Sequence, residues 1–365
     1  MLKALLLCGL AAALAACSTV APQSTRPAGA AVAGAHAVTV PERYVSVNSP
    51  GDEFDSLATW PAPDGHTWLI ATAKSSHTLA VFDADSGERL RAVGGLGDAP
   101  GRFRRPNGIA VFGDHVFVVE RDNHRVQVLS LPDFVPQGSF GADDLRSPYG
   151  IWIDETGPDE YEAYVTDNFM EGARFDVVPP LAQLDRRVHR YRVEFDDAGK
   201  LSARADGHFG STDAADALRI VESIAGDPAQ QRLLIADEDT RHESTLREYG
   251  FDGRPSGRRI APGAFEEEAE GIALWSCGTD AGYWIAVDQR YPRTRFLVFD
   301  RTTLAPRGVF TGEVVAHTDG IALHAAATTQ FPFGALFAVH DDKAVAAFDL
   351  GDVTRALGLD SACTD

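Results

Sequence analysis

Asn107-Gly108-Ile109-Ala110 puts a polar residue and a glycine in front of an apolar strand. Close copies of this order return as Asp55-Ser56-Leu57-Ala58, Tyr149-Gly150-Ile151-Trp152, Glu222-Ser223-Ile224-Ala225, Glu270-Gly271-Ile272-Ala273 and Asp319-Gly320-Ile321-Ala322. The steps between copies are 52, 42, 73, 48 and 49 residues. Periods of this size fit one four-stranded propeller blade each. The expected fold is therefore all-β: a six-bladed β-propeller, with four-stranded antiparallel blades around a central channel. The 73-residue step carries an insertion. Its charge- and proline-rich part, 171–187, reads as a loop or lid over one face.

A second apolar strand follows each copy and ends in polar residues, as in Phe117-Val118-Val119-Glu120 and Leu234-Ile235-Ala236-Asp237. A third alternates, as in Phe296-Leu297-Val298-Phe299-Asp300, and turn sequences such as Asp252-Gly253 lead to the outer strand. The glycine of the first pattern has a physical cause. Innermost strands converge on the channel, where a side chain would crowd the next backbone. The residue before it then lies at the channel mouth. Residues 38–48 supply an outer strand that closes the ring, since an open sheet edge is a liability. One short helix is expected near Val353 to Leu359.

The chain has 365 residues, 44% of them hydrophobic, which is ample for one large all-β domain. Its net charge of −20 argues against nucleic acid as a partner. A small-molecule ligand and a monomeric state are the expectation. An anionic ligand would need a local basic patch or bound cations.

Lys3 and the apolar run 4–16 read as an export signal, too short to span a bilayer comfortably. The run ends in Leu14-Ala15-Ala16-Cys17, which resembles a bacterial lipobox. The resemblance implies cleavage before Cys17 and lipidation of its thiol. With Ser18 next, it implies an outer-membrane lipoprotein facing the periplasm, touching the membrane only through its lipid. The domain reading is signal 1–16, flexible tether 17–37 and propeller 38–365. Cys277 and Cys363 remain, in an oxidising compartment, either as a disulfide or as two free thiols.

Stacked by register, the mouth reads Asp55, Asn107, Tyr149, Glu222, Glu270 and Asp319. Four carboxylates at one level of a converging channel repel. Raised pKa values, basic partners or a metal must compensate. Ca²⁺ suits such irregular oxygen donors. The second strand ends add Glu120, Asp167, Asp237, Glu238, Asp239, Asp288, Asp341 and Asp342, either as further oxygen donors or as solvated loop acids. Lys74, Arg104, Arg105 and Arg121 are candidate anion binders. His317 and His340 are read as structural.

The order of these motifs resembles the β-propeller phytases, Ca²⁺-dependent phosphatases of inositol hexakisphosphate. The likeness runs from about residue 50 to 345. It rests on Asp55-Ser56-Leu57-Ala58-Thr59-Trp60, Ala71-Thr72-Ala73-Lys74, Tyr149-Gly150-Ile151, Leu234-Ile235-Ala236-Asp237-Glu238-Asp239, Ala269-Glu270-Gly271-Ile272, Thr318-Asp319-Gly320-Ile321 and Phe331-Pro332-Phe333-Gly334. It implies a Ca²⁺ shell of Asp55, Glu222, Glu238, Glu270 and Asp319. It also implies catalytic roles for Glu222, Asp55 and Tyr149, and phosphate contact by Lys74. The second blade departs from the family. Where the family has a phosphate-binding arginine, this chain reads Arg105-Pro106-Asn107-Gly108-Ile109-Ala110-Val111, closer to an NHL-type repeat. Arg104, Arg105 or Arg121 stand in as substitutes. Two other classes remain: a single-metal lactonase-type propeller using Asn107, Glu270 and Asp319, and a non-catalytic envelope propeller.

Overall fold

The computed structural model describes residues 36–196, 199–360 and 363. The signal 1–16, Cys17 and nearly all of the tether lie outside the described residues. The strands form six sheets, one for each sequence copy. Inner strands are Phe54–Pro61, Pro106–Phe112, Pro148–Gly157, Val221–Asp227, Glu268–Ser276 and Ile321–His324. In the first four blades the four strands run antiparallel from the channel outward, in chain order. The six-bladed propeller is the observed fold.

Closure comes from the N-terminal segment, as expected for residues 38–48 from the need to cover an open sheet edge. Tyr44–Val45 pairs antiparallel with Ala344–Asp349 and becomes the outer strand of the sixth blade. Val38–Thr39 does something the sequence does not announce. It pairs parallel with Pro306–Thr311 and adds a fifth strand to the fifth blade. Glu42 joins the two, its carboxylate accepting from the backbone N–H groups of Glu313, Val314 and Val315.

The core is divided among the blade interfaces. Leu57, Leu69 and Phe82 of the first blade meet Phe337 and Val345 of the sixth. Ile70 and Leu79 meet Ile109 and Val116 of the second. Such clusters recur between every neighbouring pair. Each middle strand therefore has to be apolar on both faces, which explains its near-continuous apolar run, while outer strands such as Arg89–Gly94 are largely exposed. A helix, Leu350–Leu357, packs Leu350 and Val353 on the outer flank of the fifth and sixth blades. Asp349 caps it by accepting from Asp352 N at 2.9 Å. Cys277 and Cys363 form a disulfide with Cα atoms 4.8 Å apart, which ties the C-terminal segment to the fifth blade.

A carboxylate-lined channel mouth

Five of the six mouth residues sit in a break of strand register, while Asp319 precedes the first residue of its inner strand. The ladder between inner and second strand jumps across Phe54/Leu57, Pro106/Ile109, Pro148/Ile151, Val221/Ile224 and Ala269/Ile272. A bulge re-aims the side chain it carries. Here the bulges hold Asp55, Asn107, Tyr149, Glu222 and Glu270.

The glycine that follows has the role read from sequence. A Cβ on Gly108 would lie 2.2 Å from the Tyr149 carbonyl oxygen, and one on Gly150 2.1 Å from that of Glu222. Gly271 stands in the same relation to Asp319 O at 2.8 Å, and Gly320 to Asp55 O at 2.4 Å. Four blades thus seat a glycine against the mouth residue of the next, backbone to backbone, while Ser56 and Ser223 hold that place in the first and fourth.

The strand-end acids divide into two kinds. Glu120, Asp167, Asp237 and Asp288 are buried and accept backbone N–H groups from the loop entering their own inner strand. Glu120 accepts from Arg104 N, Asp167 from Arg146 N and Ser147 N, Asp237 from Ile220 N, and Asp288 from Glu266 N and Glu267 N. A basic group backs each one: Arg125, His189, Arg247 and Arg295. His340 takes the same place in the sixth blade, accepting from Ala316 N at 3.2 Å. These groups brace the loops; neither sequence reading, cation donor or solvated acid, describes them.

In five blades the residue one further along the second strand turns toward the mouth or the cavity beside it, while Asp341 of the sixth pairs with Lys343 and Tyr291. In the first five blades these residues are Lys74, Arg121, Asn168, Glu238 and Gln289. Lys74 Nζ lies 3.1 Å from Asp55 Oδ2 and 3.0 Å from Asp319 Oδ2. Asn168 Nδ2 donates to Glu222 Oε1 at 3.3 Å, and Gln289 Nε2 to Asp319 Oδ1. Asn107 Nδ2 donates to Asp55 Oδ2 at 3.2 Å, and Tyr149 OH to the same oxygen at 3.5 Å. Sequence reading misses Asn168 and Gln289. The signal was their shared register with Lys74 and Glu238, hidden because amides draw no attention beside acids.

Two groups among the described residues bring donor atoms close enough for one cation. Oxygens of Glu222, Glu238 and Glu270 lie within 4.8 Å of one another, as do donor atoms of His317, Asp319 and Asp342. Glu238 and Glu270 are buried, while Glu222 and Asp319 are partly exposed at the mouth. Glu270 and Asp319, paired in the lactonase reading, fall in different groups. His317, read as structural, stands beside Asp319.

The electrostatics follow from crowding. Desolvation, then the charges of Asp55 and Asp319, hold the Glu222 carboxyl well above the usual range. Desolvation and the neighbouring carboxylates do the same to Glu238 and Glu270. Desolvation pushes Asp319 up to about 7, against the pull of Lys74. Desolvation works against the Lys74 charge, but Asp55 and Asp319 outweigh it and keep the ammonium protonated. One lysine among five carboxylates leaves the mouth short of positive charge. Two buried oxygens, Glu238 Oε1 and Asn107 Oδ1, receive no hydrogen bond. Unpaired buried acceptors are costly, and hard oxygen donors of this kind fit Ca²⁺.

Beside this ring a cavity of about 570 Å³ opens over the second to fourth blades. Tyr149 and Glu222 line it from the ring side, and Arg121, Arg146 and Arg174 line it from the rim. Arg121 is thus at the site, though paired with Asp122 at 2.8 Å. Arg105 pairs with Glu53 at 3.3 Å, behind Lys74. Arg104 is exposed and lines no part of this cavity. On the other side of the ring a channel of about 690 Å³ is walled by Ile109, Ile151, Trp152 and Ile272. The carboxylates close one end of this channel, whose wall also carries Ser56, Thr59, Asp154 and Glu155.

Residues 103–129 match the NHL repeat family, in agreement with the NHL-like reading of the second blade. Among curated proteins no sequence match is found. The chain resembles Kuenenia stuttgartiensis hydrazine synthase at 13% identity, over 87% of this chain and 82% of that one, with a TM-score of 0.50. It is similar to a chain of the nidogen/laminin complex at 16% identity, over 72% and 81%, with a TM-score of 0.46. Virginiamycin B lyase from Staphylococcus aureus aligns at 11% identity, over 83% and 87%, with a TM-score of 0.43. At such identity the likeness to hydrazine synthase speaks for the propeller fold alone.

Proposed function

We propose that this propeller is a Ca²⁺-dependent phosphomonoester hydrolase, with inositol hexakisphosphate as its first candidate substrate. The observation that carries the reading is the position of Glu222. It belongs to the carboxylate group with Glu238 and Glu270 and also lines the arginine-rimmed cavity. A cation held by the acids would thus adjoin an anion held by the arginines.

Asp55, Glu222, Glu238, Glu270 and Asp319 would hold Ca²⁺, which supplies Lewis acidity and offsets phosphate charge. Lys74 is a fixed ammonium at the same level and suits a phosphoryl oxygen. Arg146 has no carboxylate partner among the described residues and is available to the anion. Water attacks phosphorus as the bond to the alcohol oxygen breaks. Glu222 takes the water's proton, and the leaving oxygen takes one from solvent. Tyr149 keeps its proton, since desolvation and the carboxylates raise its pKa, and it orients Asp55.

Phosphate release from inositol hexakisphosphate and from simple monoesters, with Ca²⁺ and with chelator, tests this reading. Release that needs Ca²⁺ and falls at least a hundredfold in Glu222→Gln is expected. Absence of release from every ester with Ca²⁺ present would remove the hydrolase reading. Export and lipidation at Cys17 stand as separate proposals, tested by labelling with a palmitate analogue in the native host.

A further inference from the structure

The insertion after the third blade's second strand leaves an apolar side chain where none is needed for folding. Phe175 is 76% exposed. Its φ is +54°, a left-handed backbone that bulky residues rarely adopt. The turn is held by Phe175 N donating to Gly172 O at 3.1 Å and by the Glu171/Val177 bridge at 2.7 and 3.1 Å. This small hairpin lines the cavity with Phe175 and Arg174, and the partly buried Met170 lies at its base. Phe169 is buried, with Arg146 4.0 Å and Arg187 4.5 Å from its centroid, and offers the cavity little surface. The cavity facing Tyr149 and Glu222 thus offers both arginines and the apolar Phe175 and Met170. A bare phosphate would use only the arginines.

We propose that hairpin 171–177 selects the alcohol side of the ester: Phe175 and Met170 pack on the face of a cyclic alcohol whose phosphoryl group lies toward Glu222 and Arg146. The inference rests on the phosphatase reading for the word ester. The two are separable by experiment, because binding of an unhydrolysable phosphonate needs no turnover.

Calorimetry on the full Ca²⁺-loaded chain should compare cyclohexylphosphonate with methylphosphonate. The wild type should bind the cyclohexyl compound about fivefold more tightly, the scale of one ring contact with an aromatic face. Phe175→Asn removes the ring but tolerates the left-handed backbone. It should abolish the preference and leave methylphosphonate affinity unchanged, and Met170→Ala should reduce the preference. Equal affinities in the wild type, a preference that survives Phe175→Asn, or no binding of either compound would overturn the inference. Preferential binding without turnover of any ester would sustain it and count against the hydrolase reading alone.

Discussion

Lys74 Nζ lies 3.0 Å from Asp319 Oδ2, an ion pair between the first blade and the sixth. It crosses the seam where the ring closes, and Asp55 shares the same ammonium at 3.1 Å. All three side chains are largely shielded. Removing the lysine leaves two acids facing each other without compensation. Lys74→Met should cost about 3 kcal/mol of stability in chelator, by the scale of a broken buried pair. Denaturant titration should find a smaller loss with Ca²⁺, which supplies the missing charge. An equal loss in both conditions would place Lys74 outside the cation's reach.

Gly150 tests whether the ring is set by backbone contact. A Cβ there would sit 2.1 Å from Glu222 O. Gly150→Ala should destabilise by about 2 kcal/mol, within the range for overpacking, and weaken Ca²⁺ binding by displacing Glu222. Gly51 has open space around its Cβ position, so Gly51→Ala should change neither quantity.

The pH dependence has a definite sign. Asp319 titrates near 7 in the folded chain, above its ordinary range, so the folded state holds that proton more tightly. Its contribution to stability is present below about pH 4 and is lost as pH rises through 7. In chelator, wild-type stability minus that of Asp319→Asn should fall between pH 4 and 7 and then level off. Thermal melts across this range check it, and a difference that rises with pH would contradict the crowded mouth.

The Cys277–Cys363 link closes a separation of 86 residues. Cys277→Ala should cost about 2–4 kcal/mol, the usual scale for a disulfide. Ca²⁺ affinity should be unchanged, since the link lies away from the mouth residues. A Ca²⁺ titration of the variant reads this directly.

The mouth ring is legible in the sequence for a physical reason. A side chain aimed at the channel needs a small residue behind it, and a mouth residue followed by Gly or Ser repeats in every blade. Asp55, Glu222, Glu270 and Asp319 therefore stand out together. The bracing of loops by Glu120, Asp167, Asp237 and Asp288 is not legible, because an acid at a strand end reads the same whether it binds a cation or a backbone N–H. Asn168 and Gln289 are illegible for the opposite reason, being neutral residues that act only by position. The parallel pairing of Val38–Thr39 has no local signature, since it depends on an edge more than 250 residues away. Phe175 was within the segment read as a lid, but no periodicity marks which of its residues faces the cavity.

The most direct measurement is a calorimetric titration of Ca²⁺ into chelator-stripped protein at pH 8, wild type against Glu238→Gln. Glu238 is buried, has an oxygen that receives no hydrogen bond, and lies with Glu222 and Glu270. The account predicts saturable Ca²⁺ binding in the wild type and an affinity at least tenfold weaker in Glu238→Gln, with the fold intact. Absence of Ca²⁺ binding by the wild type, or equal affinity in both proteins, would contradict it.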